Sequence, residues 1–329
     1  MFAKSGMSAK LGRVHMLRVP CYVVSHLATV EPSSVVHGRW LLHWFRKNSP
    51  TSLIANEAYP SIRISEIEAL RVEIPEFQAQ LRIATVLDKV DGLRHKRQEA
   101  IRLADEFLRA VFTEIFGELT VNPYRWPVVP LGELIVNGPR NGLYCPSDMY
   151  GSGTPILRID GFYDGEIVKD YKFKRVRIDE STATRFRLMD DSVVLNRVNS
   201  REFVGKAAYV PTLDEVTVFE SNMMNFSVDR NRIDTYFLVR QLQSGFIRSQ
   251  IARARKDAVN QSSINQEDVK GLQILVPPIA VQKQFRKISE RLTPLRHRLE
   301  LSKSLLVKAQ KSLSHSMFFS AHSREFPKP

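Results

Sequence analysis

Apolar residues recur at alternating steps of three and four along two stretches of the chain, 74–116 and 276–318. This spacing places them on one face of a helix and is typical of a heptad-like seam. Before each stretch, a short apolar segment ends in proline, at 72–75 and 274–278, which predicts a terminating strand and then a helix start. The seam positions expected to pair the helices are Ile83, Val90, Leu93, Phe107, Val111, Phe285, Ile288, Leu292, Leu299, Leu306 and Leu313.

The two stretches are copies of each other at a constant offset of 202 residues (295 − 93 and 282 − 80). Leu93-Arg94-His95 recurs as Leu295-Arg296-His297, and Gln80 recurs as Gln282. Gly92 and Pro294 share one repeat position, which predicts a break or kink in each helix there.

A lone helix of this kind would expose its apolar seam, so we expect the two copies to pack on each other. Their charges favour that pairing, because residues 61–120 carry nine Lys+Arg against eleven Asp+Glu, whereas residues 281–329 carry eleven against three. The alternative is that each copy is the core helix of its own domain.

Between the copies lies a region with the pattern of a complete domain. Turn signals such as Asn137-Gly138-Pro139 separate short apolar runs in its first half, and a helical pattern returns over 233–254. We therefore assign 121–262 to a mixed α+β domain, flanked by helical spacers at 61–120 and 263–329.

The first sixty residues are too few for a domain of ordinary size. However, the aromatic-rich stretch 39–45 precedes the first spacer much as 235–240 precedes the second, and both stretches predict an amphipathic helix. We interpret residues 1–60 as the C-terminal tail of a second domain of the central type.

The net charge of +13 and a pI near 9.8 favour a polyanionic partner, nucleic acid first and an anionic membrane second. No run approaches the 18 apolar residues of a spanning helix, which argues against a membrane protein. Cys21 and Cys145 lie far apart without metal-ligand spacing. A disulfide framework and a zinc site are therefore disfavoured, and we expect a cytoplasmic protein.

Motifs for catalysis are missing from the sequence. It contains no phosphate-binding GxxxxGK[ST], no cofactor loop with the motif that grips a flipped base, and no carboxylate cluster with a nearby lysine. We expect no catalytic residue, no metal and no cofactor in this chain.

Polar and basic residues in the central domain are better candidates for nucleic-acid contacts. Residues 121–280 hold 21 Lys+Arg against 19 Asp+Glu, so a DNA face must be a local patch. Arginine and asparagine suit guanine and adenine edges, whereas lysine and serine suit phosphate. The plain alternative is an ordinary solvated surface. The candidates are Arg158, Asn196, Arg197, Asn199, Ser200, Arg201, Lys206, Arg253, Arg255, Lys256, Asn260 and Gln261.

Several motifs resemble the specificity (S) subunit of type I restriction-modification systems. They are the helix start IPEFQAQLRI at 74–83, the helix end FTEIFG at 112–117, and LNRVNS at 195–200 with VGKAA at 204–208. The resemblance covers residues 39–318. It implies an α+β fold in which a mixed α/β target-recognition domain is flanked by two long helices that form an antiparallel coiled-coil-like spacer.

The resemblance also implies a role and partners. Such a subunit is non-catalytic and binds double-stranded DNA, each of its two target-recognition domains reading half of a split site. Its partners are modification subunits, which carry S-adenosylmethionine, and a restriction subunit driven by ATP and Mg²⁺.

Residues 1–60 leave two expectations open, since they contain only the tail of a first target-recognition domain. Two chains related by a twofold axis would form a homodimer that reads an interrupted palindrome. Alternatively, the truncated subunit is non-functional. A different class also stays open, a coiled-coil interaction protein with a basic surface that binds nucleic acid.

Overall fold

Eight α-helices are present in the computed structural model, which describes residues 1–259 and 261–319. Two of them are long, with 40 and 41 residues, and correspond to the predicted spacers. The helices are α1 (Gly38–Lys47), α2 (Ile64–Glu68), α3 (Phe77–Phe116), α4 (Glu180–Phe186), α5 (Thr235–Leu242), α6 (Gly245–Ala254), α7 (Gln266–Lys270) and α8 (Ile279–Phe319). Across these residues, no helix has the length and apolar composition needed to cross a membrane.

Short strands make up the rest of the regular structure, together with four 3-10 turns at Ala9–Leu11, Pro50–Leu53, Leu131–Glu133 and Ser147–Met149. The strands are β1 (Phe2–Ala3), β2 (Leu27–Ala28), β3 (Val128–Pro130), β4 (Ile135–Asn141), β5 (Tyr150–Leu157), β6 (Phe162–Tyr163), β7 (Gly165–Ile167), β8 (Lys174–Val176), β9 (Ser192–Asn196), β10 (Val198–Asn199), β11 (Ala207–Val210), β12 (Val218–Phe219), β13 (Met223–Val228), β14 (Lys256–Asp257), β15 (Ser262–Ser263) and β16 (Gln273–Leu275). The predicted α+β class is confirmed.

Two compact units divide the chain, and both boundaries fall inside the long helices. Unit 1 contains Met1–Ala104 and the described chain from Pro294 onward, and unit 2 contains Asp105–Thr293.

Unit 2 is built on a six-stranded sheet with the order β4-β13-β9-β11-β7-β6. Its neighbouring strands are antiparallel except for β11 and β7. Smaller sheets have the orders β12-β5-β8, β10-β15-β14 and β16-β3. Every residue of β9 is buried, which suits the apolar centre Val193-Val194-Leu195 of its sequence SVVLN. The core below includes Phe226, Phe237 and Phe285.

Unit 1 has a small core around the antiparallel pair β1 and β2, in which Phe2 lies opposite Ala28. Phe2 packs on Phe45 of α1 with ring centroids 5.5 Å apart. The predicted helices at 39–45 and 235–240 are confirmed as α1 and α5, although every residue of α5 except Arg240 is buried.

Equivalent hydrogen bonds occur at equivalent places in the two units. Helices α2 and α7 have matching bounds at the offset of 202 residues (266 − 64 and 270 − 68). At their first turns, Arg63 N donates to Glu66 Oε2 at 2.9 Å, and Asn265 N donates to Asp268 Oδ2 at 2.8 Å. Such a carboxylate satisfies a donor that the helix leaves unpaired.

The first residues of the chain also have a counterpart in unit 2. Ile62 N donates to Lys4 O at 2.7 Å, and at the matching repeat position Ile264 N donates to Arg197 O at 2.9 Å. The interpretation of residues 1–60 as the C-terminal tail of a second domain of the central type stays a prediction.

Each long helix is tied to a short helix by one buried glutamine near its start. Gln80 Oε1 accepts from His37 N at 2.7 Å, and Gln282 Oε1 accepts from Asp234 N at 2.8 Å. His37 and Asp234 are the N-cap residues of α1 and α5. The repeated glutamine therefore fixes the same junction in both units.

The long helices pair in antiparallel fashion, as predicted. Within unit 2, Phe285 near the start of α8 packs on Phe112 and Phe116 near the end of α3, with ring centroids 5.2 and 5.6 Å away. Within unit 1, Gln310 Nε2 in the later part of α8 donates to Asp91 Oδ1 at 2.8 Å. Arg94 of the same α3 turn donates to Gln310 Oε1 at 3.3 Å.

The seam is only partly the one predicted. Leu299 and Phe285 are buried, and Ile83, Val90, Val111, Ile288, Leu292, Leu306 and Leu313 are half-buried.

Leu93 and Phe107 are about half exposed, so their assignment to the seam is wrong. In unit 1, α3 buries Ala84, Leu87 and Ile101 instead. For Leu93 the reason is α1, whose Arg39, His43 and Arg46 bind Asp88 and Asp91 and so select a different face of this part of α3.

Two further expectations are wrong. The predicted helix break is not present, since α3 runs through Gly92 and α8 runs through Pro294, whereas a kink at these positions stays a prediction. The expected strand at 72–74 is also not assigned, although its repeat partner is the strand β16. Strand β16 exists because β3 pairs with it through three consecutive residues.

Candidate nucleic-acid interface

Seven of the predicted contact residues lie on or beside the sheet formed by β10, β15 and β14 in unit 2. Strand β15 pairs with both neighbours, Ser262 opposite Asn199 on one side and opposite Asp257 on the other. This pairing joins segments that are about sixty residues apart in sequence. We call this surface the basic patch, and its residues are Asn199, Ser200, Arg201, Arg253, Arg255, Lys256 and Gln261.

Side chains of the basic patch are mostly accessible. Ser200, Arg201, Arg253, Lys256 and Gln261 are exposed, and the Arg201 side chain is 67% accessible. The Asn199 side chain accepts from Ser200 N at 2.8 Å, which orders the turn after β10. The patch therefore presents guanidinium, ammonium and amide donors together, the groups that bind phosphate oxygens and base edges.

One carboxylate lies inside the basic patch and was not among the predicted site residues. Asp257 Oδ2 accepts from Arg201 Nη2 at 2.7 Å, and Asp257 Oδ1 lies 3.0 Å from Arg255 Nε. The N–H of Arg255 does not point at that oxygen, so this second contact is an ion pair without a hydrogen bond. The sequence Arg255-Lys256-Asp257 contains the acid, but the pairing with Arg201 spans 56 residues.

Arg158 and Lys206 form a second group around the backbone of Ile159. Glu220 is nearly buried, and its two oxygens accept from Arg158 Nε at 3.3 Å and from Ile159 N at 2.6 Å. Lys206 Nζ donates to Ile159 O at 2.7 Å. Glu220 and Lys206 thus bind the N–H and the carbonyl of Ile159, just after β5. Glu220 was not predicted, because only the fold brings it beside Arg158.

Lys206 is half-buried against aromatic rings. Its Nζ lies 4.5 Å from the ring centroid of Phe162, 3.9 Å from that of Tyr163 and 5.4 Å from that of Phe203. Burial lowers the pKa of Lys206 to about 8, against the opposing effect of Asp160 and Asp164. With its ammonium engaged by a carbonyl and three rings, Lys206 supports the turn and is poorly placed to bind phosphate.

The assignment of Asn196 as a base-reading residue is wrong. Asn196 is fully buried at the end of β9, and its Nδ2 donates to Phe203 O at 3.4 Å. The reason is that β9 is a central strand covered on both faces, so the alternation that would turn Asn196 outward does not occur.

Arg197 is half-buried and points away from the basic patch. Its Nη1 donates to Ser221 O at 3.3 Å, and it lines an open cavity with Asn141 and Asn265. Its Nε is buried and has no hydrogen-bond partner among the residues that the structure describes. Asn260, the remaining predicted contact, lies outside the residues that the structure describes.

Comparison with known proteins gives a matching family model for the first part of the chain and several similar proteins. The family model described as "Type I restriction modification DNA specificity domain" matches residues 2–103. The chain is 24% identical over 306 residues to the type I restriction enzyme StySPI specificity subunit of Salmonella potsdam, which covers 88% of this chain and 66% of that protein. It is 23% identical over 308 residues to the type I restriction enzyme EcoKI specificity subunit of Escherichia coli strain K12, with the same two coverages. The chain therefore spans just under two thirds of the length of these relatives.

A solved structure agrees at the level of the fold. The crystal structure of the type I restriction-modification system S subunit from M. genitalium has a TM-score of 0.56 and 15% sequence identity. The match covers 86% of this chain and 73% of that structure.

Proposed function

Because this chain belongs to the family of type I restriction-modification specificity subunits, we propose that it recognises a DNA sequence for partner subunits that methylate and cleave. In this role it is a non-catalytic recognition subunit. The observation that carries the proposal is the basic patch, in which three separate segments of unit 2 converge to present accessible arginine, lysine and amide groups. Such a mixture suits double-stranded DNA, where phosphate contacts position the protein and base contacts specify the sequence.

Within the patch, the proposed roles follow from side-chain type and fixation. Arg201 is both exposed and held by an ion pair, so it is the strongest candidate for a bidentate contact to guanine. Asn199 suits an adenine edge. Arg253 and Lys256 are exposed, and no ion pair to either of them is found in the described residues, which suits phosphate.

Accessible leucines on the long helices support the part of the proposal that concerns partners. Five leucines of unit 1 are about half exposed on α3 and α8, which is unusual for helices that bury their seam. We propose that this leucine surface docks the modification subunits, whose S-adenosylmethionine would supply the methyl group. The restriction subunit with its ATP and Mg²⁺ would join that assembly. The five residues are Leu93, Leu103, Leu295, Leu301 and Leu305.

Replacement of Arg201 by alanine tests the role of the patch. We expect the variant to lose about 1–3 kcal/mol of binding free energy on duplexes selected by the wild-type chain and to relax the preference at one base pair. The measurement is fluorescence anisotropy on selected and mixed-sequence duplexes, with the full chain and its modification subunit.

Arg230→Ala is the matched control for this experiment, because Arg230 is also an exposed arginine of unit 2 paired with an aspartate, Asp191, at 3.0 Å. It should leave both affinities nearly unchanged. Equal weakening of all duplexes by Arg201→Ala would make Arg201 a phosphate contact, and no effect of Arg201→Ala would remove the patch from the interface.

A further inference from the structure

Two arginines from distant parts of unit 2 converge on Asp257. Arg201 comes from the turn after β10, and Arg255 from the C-terminal end of α6. Each lies within 3.0 Å of a different oxygen of the same carboxylate. Asp257 therefore links the side chains of two of the three segments that carry the basic patch.

The carboxylate of Asp257 is itself held in place by the sheet. Its Oδ1 accepts from Ser262 Oγ at 2.6 Å, and Ser262 is buried in β15, opposite Asn199 of β10. The hydrogen bond from Ser262, together with Arg201 and Arg255, holds the pKa of the Asp257 carboxyl below its usual range. Asp257 is thus a negative charge at a fixed position among cations.

This arrangement has two consequences for a polyanion that approaches the patch. The fixed negative charge repels phosphate, which weakens binding to any duplex regardless of its sequence. At the same time, the ion pair restricts Arg201 to one orientation. Arg201 gives one of its five N–H donors to Asp257, so enough donors remain for the two acceptors of a guanine edge.

We propose that Asp257 is a specificity-determining residue of the interface, an inference that rests on the proposed function in DNA recognition. It orients Arg201 toward the base edges and lowers the affinity of the patch for DNA of unrelated sequence. The acid thereby increases the difference between cognate and other sequences, which is the quantity that a specificity subunit needs.

The test is Asp257→Asn in the full chain, with its modification subunit, on a mixed-sequence duplex and on duplexes selected by the wild type. Asparagine keeps the size of the side chain and removes the charge. We expect affinity for the mixed-sequence duplex to rise about threefold to tenfold, with a salt dependence steeper by about one released counterion. Affinity for the selected duplexes should rise less or fall. The ratio of the affinity for selected duplexes to the affinity for the mixed-sequence duplex therefore decreases.

Glu215→Gln is the matched control, because Glu215 is also an acid of unit 2 in an ion pair with an arginine, Arg175 Nη2 at 2.7 Å. It changes the net charge equally and should leave the ratio within about twofold of the wild type. Ser262→Ala is a second variant, which releases the carboxylate without removing its charge. It should lower the ratio through poorer orientation of Arg201 while the affinity for mixed-sequence DNA stays low.

If Asp257→Asn leaves the ratio of affinities for selected and mixed-sequence duplexes unchanged, the inference is overturned. It is also overturned if Glu215→Gln changes that ratio as much as Asp257→Asn does, because Asp257 would then act only through the net charge. If Asp257→Asn lost its fold, an unchanged ratio in Ser262→Ala would overturn it. A wild-type chain that selects no duplex would instead refute the proposed function itself.

Discussion

Replacing Gln282 by methionine should lower the free energy of unfolding of unit 2 by about 3–5 kcal/mol. Gln282 is fully buried and serves three backbone groups. Its Oε1 accepts from Asp234 N at 2.8 Å, and its Nε2 donates to Pro277 O at 2.6 Å and to Arg232 O at 3.2 Å. Methionine has a similar volume but satisfies none of these groups, so each loses its partner away from water.

Thermal and urea unfolding followed by circular dichroism measure this effect, and we expect the Tm of unit 2 to fall by roughly 10 °C. Gln284→Met is the matched control, since Gln284 is exposed on the same helix two residues away. It should change the free energy by less than about 0.5 kcal/mol. Equal, small effects of both variants would contradict the assigned role of Gln282.

Leu299→Asp should destabilise the helix pair in unit 1 by about 4 kcal/mol or more. Leu299 is only 8% exposed, so the change removes a buried apolar side chain and places an unpaired charge there. Loss of helical circular dichroism at lower temperature, together with faster proteolysis of unit 1, is the expected result.

Leu305→Asp gives the matched comparison for this experiment, because Leu305 lies on the same helix in unit 1 and is 55% exposed. It should be nearly neutral in the isolated chain. If Leu305→Asp were as destabilising as Leu299→Asp, the assignment of the buried face would be wrong.

Sequence periodicity located the long helices because their apolar spacing is maintained over forty residues and repeated at a constant offset. The same offset also relates α2 to α7, which are short but carry equivalent first-turn carboxylates, Glu66 and Asp268. Apolar spacing and capping residues lie within the helical segment itself, so they predict the helix without knowledge of its neighbours in the fold.

Which face a helix or strand buries depends on neighbours that are remote in sequence. Leu93 satisfies the apolar period, yet α1 binds a different face of α3 through Asp88 and Asp91. The prediction that Asn196 is a surface residue was wrong, because β9 has a neighbouring strand on each side and its residues are buried on both faces of the sheet. Such contacts cannot be deduced from periodicity within one segment.

The contacts of Asp257 in the basic patch likewise could not be deduced from the sequence. The sequence identified arginine and lysine by type, but the pairing of Arg201 with Asp257 requires β15 to lie between β10 and β14. Glu220 and Lys206 likewise bind the backbone of Ile159 from positions 61 and 47 residues away in sequence. The types of side chain in the candidate site were thus predictable, whereas their partners and orientations were not.

Sequencing of methylated bases tests the central claim most directly, with DNA from cells that express a type I modification subunit with or without this chain. The account predicts methylation at one defined sequence motif that appears only when the chain is present and becomes degenerate at one position in Arg201→Ala. Methylation of the same motif without the chain, or of no motif with it, would contradict a role in DNA target recognition.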